Sequence, residues 1–584
     1  MNRRIADAKD EILRSVLALV RERIAAEQTA LVEVFVSQFF RQVDPDDLSG
    51  REPVDLYGAA VSQWLFARQR PPHTAKVRVY NPRVEEHGWQ SPHTVIGIAN
   101  RDMPFLVDSV RMEINAQGFT THLIIHPVMR VHRDANGNLL EVLQRDDAER
   151  DSQFDSFMHL EINRETDPAV MERLEKGLLR VLADVRAAVD DWKPMLERMR
   201  ETAAANRTDP PALPHDEVAE GVAFLDWLTA DHFTFLGCRD YDLAKENGED
   251  VLRLVPDSGL GILRQTQAEA TSTSFATLPA EIRERARKPE LLIITKSNTR
   301  ATVHRPVYMD YVGVKRFDGA GNVIGERRFL GLYTSIAYSA SALEIPLLRR
   351  KVKAVIERSG VLPGSHMSKT LLTILENYPR DELFQIEEDE LLRTAMGILH
   401  LQERQRTRLF VRRDSFGRFF SCLVYAPRDN YNTEVRERMQ KVLIDAFGGV
   451  STEFSVNLSE SVLARVLIVV HTKPGARPDY DERELEAKLV RAARRWEDDL
   501  ADALVDRLGE ERGVDLFKKY ATAFPAGYRE DCPARTAVYD IELMEELTSE
   551  DGLGLNLYVP LEAAAGELRL KLFRRGAAVP LSQS

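Results

Sequence analysis

The amino-acid sequence predicts an α+β multidomain chain, and three observations carry that reading. At 584 residues the chain is too long for one hydrophobic core, a length that corresponds to roughly three to five domains. Between His93 and Arg133 it passes through strand, turn, helix and strand in one continuous stretch, and the same order of elements returns from Leu409. Between these copies, from Ile345 to Arg406, apolar residues keep helical spacing almost throughout.

Composition narrows the class. Hydrophobic residues at 44%, charged residues at 29% and a mean hydropathy of -0.31 are those of an ordinary soluble globular protein. A net charge of -13 gives a diffuse negative field, which opposes binding to phosphate backbones and argues against a nucleic-acid partner. Cys238, Cys422 and Cys532 are far apart and in no C-x-x-C spacing, so neither a disulfide framework nor a structural zinc site is predicted and a reducing cytoplasm fits best. The N-terminal apolar patch is interrupted by charges every few residues, as in a helix and unlike a signal peptide. No stretch approaches the roughly 20 apolar residues that cross a bilayer, so no membrane partner is expected.

The elements follow in chain order. Ile12, Val16, Val20 and Ile24 recur every fourth residue, and Val54 to Phe66 repeats a helical pattern, so the chain opens on helices that form a collar for the next module. Pro71-Pro72 ends this part. Lys76–Tyr80 alternates as a strand, Thr94 to Ala99 is a second, and Asn100 to Pro104 is turn material. Leu106, Val107, Val110 and Ile114 then line a helix that Gly118 stops, and Phe119 to Val131 resumes strand character. Ser156 to Ile162 is another strand, and Asp167-Pro168 opens a helix with Asp as N-cap and Pro at the first helical position. This order predicts a sheet with helices on one face.

Asn206 to Pro214 reads as a linker, Val218 to Leu228 as an amphipathic helix, and His232 to Tyr241, Leu291 to Lys296, Pro306 to Asp318 and Val323 to Thr334 as strands of a sensor-like module. The helical stretch from Ile345 is interrupted at Tyr378-Pro379. In the second copy, Leu409 to Arg413, Phe419 to Tyr425, Phe454 to Leu458 and Ala464 to His471 are strands. Its first helix ends at Gly448-Gly449, and Leu485, Leu489, Trp496, Leu500, Leu504 and Leu508 predict one long helix after the last strand. A third copy starts with strands Leu555 to Val559 and Glu567 to Arg574, followed by a helix entry at Val579 to Ser582. Two such strands without their helix are marginal alone, so the sequence reads as the front part of something longer.

NRDMPFLVDSV, THLIIHPV, DHFTFLG, NTRATVHRPVYMDYVGVKRFD, RRFLGLYTS, NYPRDELFQI, GILHLQERQRTRLFVRRD and SESVLARV resemble the N-terminal half of the large bacterial NAD-specific glutamate dehydrogenases. The resemblance implies a string of ACT-like, ferredoxin-like modules, a PAS-like α/β module and helical motifs, with no Rossmann domain in this chain. Elements and resemblance together divide it into N-terminal helices (1–72), a first ACT-like module (73–200), a PAS-like sensor module (201–340), a helical connector (341–407), a second ACT-like module with a long helix (408–515), a helical linker (516–550) and the start of a third ACT-like module (551–584). By resemblance, the whole enzyme is a homo-oligomer that oxidises L-glutamate to 2-oxoglutarate and ammonia with NAD in a downstream dehydrogenase domain. This chain would bind no cofactor and be inactive alone. The alternative is a stand-alone amino-acid-sensing or scaffold protein built from the same modules.

ACT modules often carry an Asp-x-Pro-Gly turn that meets an amino acid's carboxylate with backbone N–H groups. Here Asp102, Met103, Pro104, Phe105 and Leu106 stand at that turn, with Phe105 where glycine is usual. They are the candidate effector-binding residues. Arg300, His304, Arg305, Lys315 and Arg316, with Tyr308 and Asp310, form the densest polar cluster, read as an anion or interdomain contact against an ion-paired surface strand. Arg412, Arg413 and Arg418 carry the same two readings. His122, His126 and His132 share strand parity, but at about 3.3 Å per residue they are too far apart to ligate one zinc. Gly319 to Gly325 is the nearest approach to a dinucleotide fingerprint, and it joins two strands with no helix, so it predicts a hairpin turn. No catalytic, cofactor or metal residue is predicted.

Overall fold

The computed structural model describes residues 2–144, 152–246, 249–264, 287–401, 404–459, 461–473, 476–547, 552–559 and 568–576. The chain divides into two compact units, Met1–Leu392 and Arg393–Ser584, and every strand pair among the described residues is antiparallel.

The first unit opens on helices α1 (Asn2–Arg23), α2 (Ala26–Phe40) and α3 (Pro53–Ala67). A six-stranded sheet follows: β1 (Lys76–Tyr80), β2 (Thr94–Arg101), β3 (Thr121–Ile125), β4 (Val128–Arg133), β5 (Leu139–Val142) and β6 (Gln153–Ile162). Its order is β1-β2-β6-β4-β5, with β3 also on β6. Between β2 and β3 lies α4 (Leu106–Ala116), and after β6 comes α5 (Pro168–Asp190), capped by the Asp167 side chain as its sequence predicts. The pleat sends alternate residues to opposite faces. Ile96, Ile98, Met158 and Leu160 therefore pack on α4 and α5, while Ala99, Phe157, Ile125 and Met129 pack under Val20, Phe35, Phe39 and Trp64 of the N-terminal helices. The expected sheet with helices on one face is thus covered on both, because both alternating sets are apolar. The single strand expected from Phe119 to Val131 is two strands, since Pro127 has no N–H to give to a ladder.

A second sheet contains β7 (Phe233–Glu246), β8 (Glu249–Leu254), β9 (Leu260–Gly261), β10 (Leu292–Arg300), β11 (Tyr308–Phe317) and β12 (Val323–Tyr333). Its order is β10-β11-β12-β7-β8, with β9 on β7. Helix α6 (Trp192–Thr208) follows α5 after the single residue Asp191 and packs against β7 and against α7 (His215–Trp227). The expected division at 200/201 therefore falls inside α6, and the linker read at Asn206 to Pro214 begins in the last turn of α6 and leaves only residues 209–214 between packed helices. After β12 come α8 (Leu348–Arg358), α9 (His366–Glu376), α10 (Arg380–Gln385) and α11 (Glu388–Leu401), with the break at Tyr378-Pro379 where the sequence places it.

In the second unit, β13 (Arg408–Arg413), β14 (Phe419–Pro427), β15 (Ser451–Asn457) and β16 (Leu463–His471) form a sheet of order β13-β14-β16-β15. Helices α12 (Thr433–Phe447) and α13 (Glu482–Ala492) cover one face. Gly448 ends α12 in the left-handed region, φ 60°. The long helix expected from Leu485 to Leu508 is two: α13 stops at Ala492 and α14 (Trp496–Leu508) starts afresh, its acidic first turn Glu497-Asp498-Asp499 matching a helix start. Leu500 and Leu504 of α14 pack with α15 (Glu510–Tyr520) and α16 (Ala534–Glu546) in a core of their own. Strands β17 (Leu553–Tyr558) and β18 (Arg569–Arg574) form a two-stranded ribbon, and the helix entry expected at Val579 to Ser582 lies outside the described residues.

The first sheet is pinned to the end of α3 by a buried charge group. Asp155 is 0% exposed and accepts from Arg70 at 2.9 Å and from Arg133 at 2.7 Å, themselves 3% and 4% exposed. One carboxylate holding two guanidinium groups cannot be neutralised without stranding both. Asp155→Asn is expected to cost on the order of 3–5 kcal/mol of unfolding free energy, measured by urea titration with near-UV circular dichroism; a loss within error would show that the triad is solvated in solution.

Candidate functional site

Two stretches that the sequence sets apart for different reasons meet in space. At the end of β2, the Asp102 N–H donates to the Phe154 carbonyl at 2.9 Å, so the turn leaves the sheet at a fixed point. Phe105 then adopts the left-handed conformation, φ 72°, immediately before α4 and offers no side-chain cap. A non-glycine residue there is strained by roughly 1 kcal/mol or more, and the structure shows what holds it. The Phe105 ring lies 4.9 Å from that of His304, which comes from the loop between β10 and β11 and is itself left-handed at φ 73°. The His304 N–H donates to Ser109 Oγ at 3.1 Å, and Ser109 donates to the Phe105 carbonyl at 2.6 Å. Thr302 donates to Asp184 of α5 at 2.8 Å. Ala301, Val303 and Met309 are buried in the same core as Leu106, Val110 and Leu178. The hairpin tip is thus inserted into the first sheet's helical layer and closes over the turn.

Electrostatics at this joint follow from burial. Asp102's carboxyl is raised above the usual range by loss of water, partly offset by the Met103 N–H. His304 is held below the usual imidazole value by burial and by Arg305, with Asp108 pulling the other way. An uncharged ring against Phe105 is the result.

From the tip the contacts run on toward the helices after β12. Arg305 donates to the Tyr333 carbonyl at 2.6 Å and lies over the Tyr338 ring at 5.8 Å. Tyr338 donates to Asp381 at 3.0 Å. Lys296 bonds Asp310 at 2.6 Å and Asp381 at 3.1 Å, and the Tyr333 N–H donates to Asp310 at 3.0 Å. One ammonium between two carboxylates leaves a negative charge in excess. Burial, only partly offset by Lys296, pushes the Asp310 carboxyl up to about 6.

The other sequence-singled residues are dispersed. Arg300 lies over the Tyr308 ring at 5.2 Å at the mouth of the loop. Lys315 and Arg316 sit at the far end of β11, some 20 Å along the strand. There Lys315 bonds Glu290 at 3.1 Å, and Arg316 pairs with Asp242. The polar cluster is therefore not one site: His304 and Arg305 belong to the joint, whereas Lys315 and Arg316 do not. In the second unit Arg418 closes on Asp414 at 2.8 Å, Arg413 donates to the Ala476 carbonyl, and Arg412 lies over Phe419. The turn equivalent to Asp102–Leu106 is built differently, since Asn432 caps α12 through the Val435 N–H at 2.9 Å. His122 stacks on His93 at 4.4 Å and meets Asn163 at 3.2 Å, and His126 meets Ser156 at 2.7 Å. Sequence reasoning missed Ser109, Asp184, Lys296 and Asp381; the alternation of Ala301, Val303 and Val307 was the one signal that this loop is buried.

Family models match this chain in five places: the glutamate dehydrogenase ACT1 domain over residues 35–178, helical motif 1 over 345–404, the ACT2 domain over 408–497, helical motif 2 over 503–547 and the ACT3 domain over 552–584. Over those residues the chain carries glutamate dehydrogenase ACT and helical-motif domains. It is 42% identical over 577 residues to an NAD-specific glutamate dehydrogenase of Halomonas elongata, covering 99% of this chain and 36% of that protein. It is 38% identical over 579 residues to that of Pseudomonas aeruginosa, with coverage of 99% and 36%, and 29% identical over 503 residues to that of Mycobacterium tuberculosis, with coverage of 82% and 29%. The chain thus spans about a third of the length of the curated relatives it matches. Within this frame the joint ties the strand-to-helix turn of the ACT1 domain to Asp381 of helical motif 1.

Two measurements check the joint. A double-mutant cycle of Phe105→Ala and His304→Ala is expected to show a coupling of about 0.5–1.5 kcal/mol; additive effects would mean that the rings do not meet in solution. Lys296→Met leaves Asp310 and Asp381 without their cation and is expected to cost on the order of 3 kcal/mol at pH 8. Because the folded-state pKa of Asp310 is raised to about 6 from 3.8, its contribution is fully present below the unfolded value and is lost as pH rises through about 6. The cost of Lys296→Met is therefore expected to shrink toward pH 4, where Asp310 takes up a proton. Urea titrations at both pH values decide it, and a pH-independent cost would contradict the assignment.

Proposed function

We propose that this chain is the regulatory and oligomerisation region of a large NAD-specific glutamate dehydrogenase. The oxidation of L-glutamate to 2-oxoglutarate and ammonia would take place in a dehydrogenase domain further along the whole protein. The observation that carries this reading is the joint itself: an ACT-domain turn that is held by a loop of the second sheet and linked through Arg305, Tyr338 and Asp381 to a helical motif. Such an arrangement suits transmission between modules.

The stretch nearest to a dinucleotide fingerprint does not fit a nicotinamide dinucleotide. Gly319 to Gly325 close the β11–β12 hairpin, with Asp318 accepting from the Ala320 and Asn322 N–H groups at 2.9 and 2.8 Å. No helix begins there to receive a pyrophosphate. NAD belongs, in this proposal, to the downstream domain. Residues 201–340 are read as a PAS-like sensor, since an antiparallel sheet packed on helices supports that architecture. An amino-acid effector would act at Asp102, Met103, Pro104, Phe105 and Leu106 by competing with the His304 loop for the turn. The setting is the cytoplasm, and the partners are further copies of the same enzyme.

The purified chain is expected to form no NADH from glutamate and NAD, while the full-length enzyme does. In that enzyme, His304→Ala is expected to change the response of the rate to amino-acid effectors with little change in the KM for glutamate. NADH production by the chain alone would overturn the proposal.

A further inference from the structure

A buried arginine of the second sheet has no counter-charge among the described residues. Arg239 is 8% exposed. Its one hydrogen bond among those residues, from Nη2, goes to the Leu263 carbonyl, while its buried Nε makes none. No described carboxylate lies within ion-pair distance of it. A guanidinium does not lose its proton in a protein, and a charge withdrawn from water without a partner is costly.

Register makes the demand sharper. Arg239 of β7 stands directly opposite Arg328 of β12, so the two side chains leave the same face with Cβ atoms about 5 Å apart, a placement that like charges disfavour. Arg328 is fixed in orientation. Its guanidinium lies over the Tyr241 ring at 4.1 Å and the Tyr311 ring at 4.9 Å, and its Nε donates to Tyr311 Oη and to Glu326 Oε1, both at 3.1 Å. Among the described residues neither terminal nitrogen has a hydrogen-bond acceptor, and the side chain is 14% exposed. Gly313, opposite Arg328 on β11, makes room for this arrangement: a Cβ there would come within 2.9 Å of the Tyr311 ring and 3.1 Å of the Glu326 carboxyl carbon. The carboxylate in the group is Glu326, already engaged by Arg328 and by the Tyr311 hydroxyl. Two arginines and one glutamate leave one positive charge over.

We infer that Arg239 and Arg328 form an anion site on this sheet face, and that it takes a small organic carboxylate. Arg328 presents a planar fork whose two nitrogens match the two oxygens of a carboxylate. The tyrosine rings hold that fork in one plane, and Arg239 supplies the unbalanced charge. The site is separate from the turn at Asp102–Leu106 and does not depend on what the chain regulates.

The test is thermal unfolding and calorimetry of the whole chain with sodium acetate, succinate, glutamate and inorganic phosphate, each against sodium chloride at equal ionic strength. At least one carboxylate is expected to raise the Tm and to bind saturably. Arg239→Met and Arg328→Met are expected to abolish both effects, and Arg328→Lys, which keeps the charge but loses the fork, to weaken binding tenfold or more. Phe105→Ala should leave this binding unchanged, which separates it from any effector at the turn. Circular dichroism verifies that each variant is folded, and Arg328→Lys carries the test if a methionine variant is not. Binding of phosphate as tight as that of any carboxylate overturns the ligand class. No binding by the wild type, or binding unchanged in the arginine variants, overturns the site.

Discussion

The joint between the two sheets of the first unit depends on one shared apolar core. Leu106, Val110 and Ile114 of α4 and Leu174, Leu178 and Leu182 of α5 would be expected to pack on the first sheet alone, yet Leu236, Ala301, Val303, Met309, Leu330 and Leu332 of the second sheet and its loop enter the same cluster. Burial of that many side chains, each worth about 1.5–3 kcal/mol, makes the two sheets one folding body in this region. The strained conformations of Phe105 and His304 persist because the surrounding core over-determines them. A ligand at the turn would have to work against this core, so any signal it generates is delivered directly to the second sheet.

Buried charge in this unit is of two kinds. Asp155 between Arg70 and Arg133, Lys296 between Asp310 and Asp381, and Glu161 with Arg51 are compensated. Burial opposes the ionised form of Glu161, but the neighbouring His159 ring, 3.6 Å away, and the two hydrogen bonds from Arg51 hold its carboxyl down to about 2. Each of these groups ties together segments distant in sequence, and each is explained by the contacts it fixes. Arg239 is of the other kind, since no described carboxylate answers its charge. The contrast between the two kinds, not the presence of arginine, is what separates a structural ion pair from a ligand site.

Local patterns were legible wherever one face of an element decided its burial. The Asp167 cap, the Gly448 stop, the break at Tyr378-Pro379 and strands β13, β14 and β16 of the second unit stand where period and turn chemistry place them. The pattern misleads where a short feature outweighs a long one. Pro127 divides a run of β-rich residues into β3 and β4, and the three residues between Ala492 and Trp496 separate two helices whose leucines keep step. The stretch Asn206 to Pro214 has the composition of a linker, but α6 and α7 on either side of it are packed together.

The sequence by itself determined the type of nearly every element, the repeat of strand, turn, helix and strand, and the two stretches that meet at the joint, because these rest on spacing and on residues within a few positions of one another. Only the tertiary structure decided that His304 closes over Phe105, that Lys315 and Arg316 stand apart from it, and that Arg239 and Arg328 are neighbours. Those facts depend on strand register and on a loop crossing from one sheet to another, and residues 195 positions apart, such as Ser109 and His304, carry no mutual signal until the chain has folded.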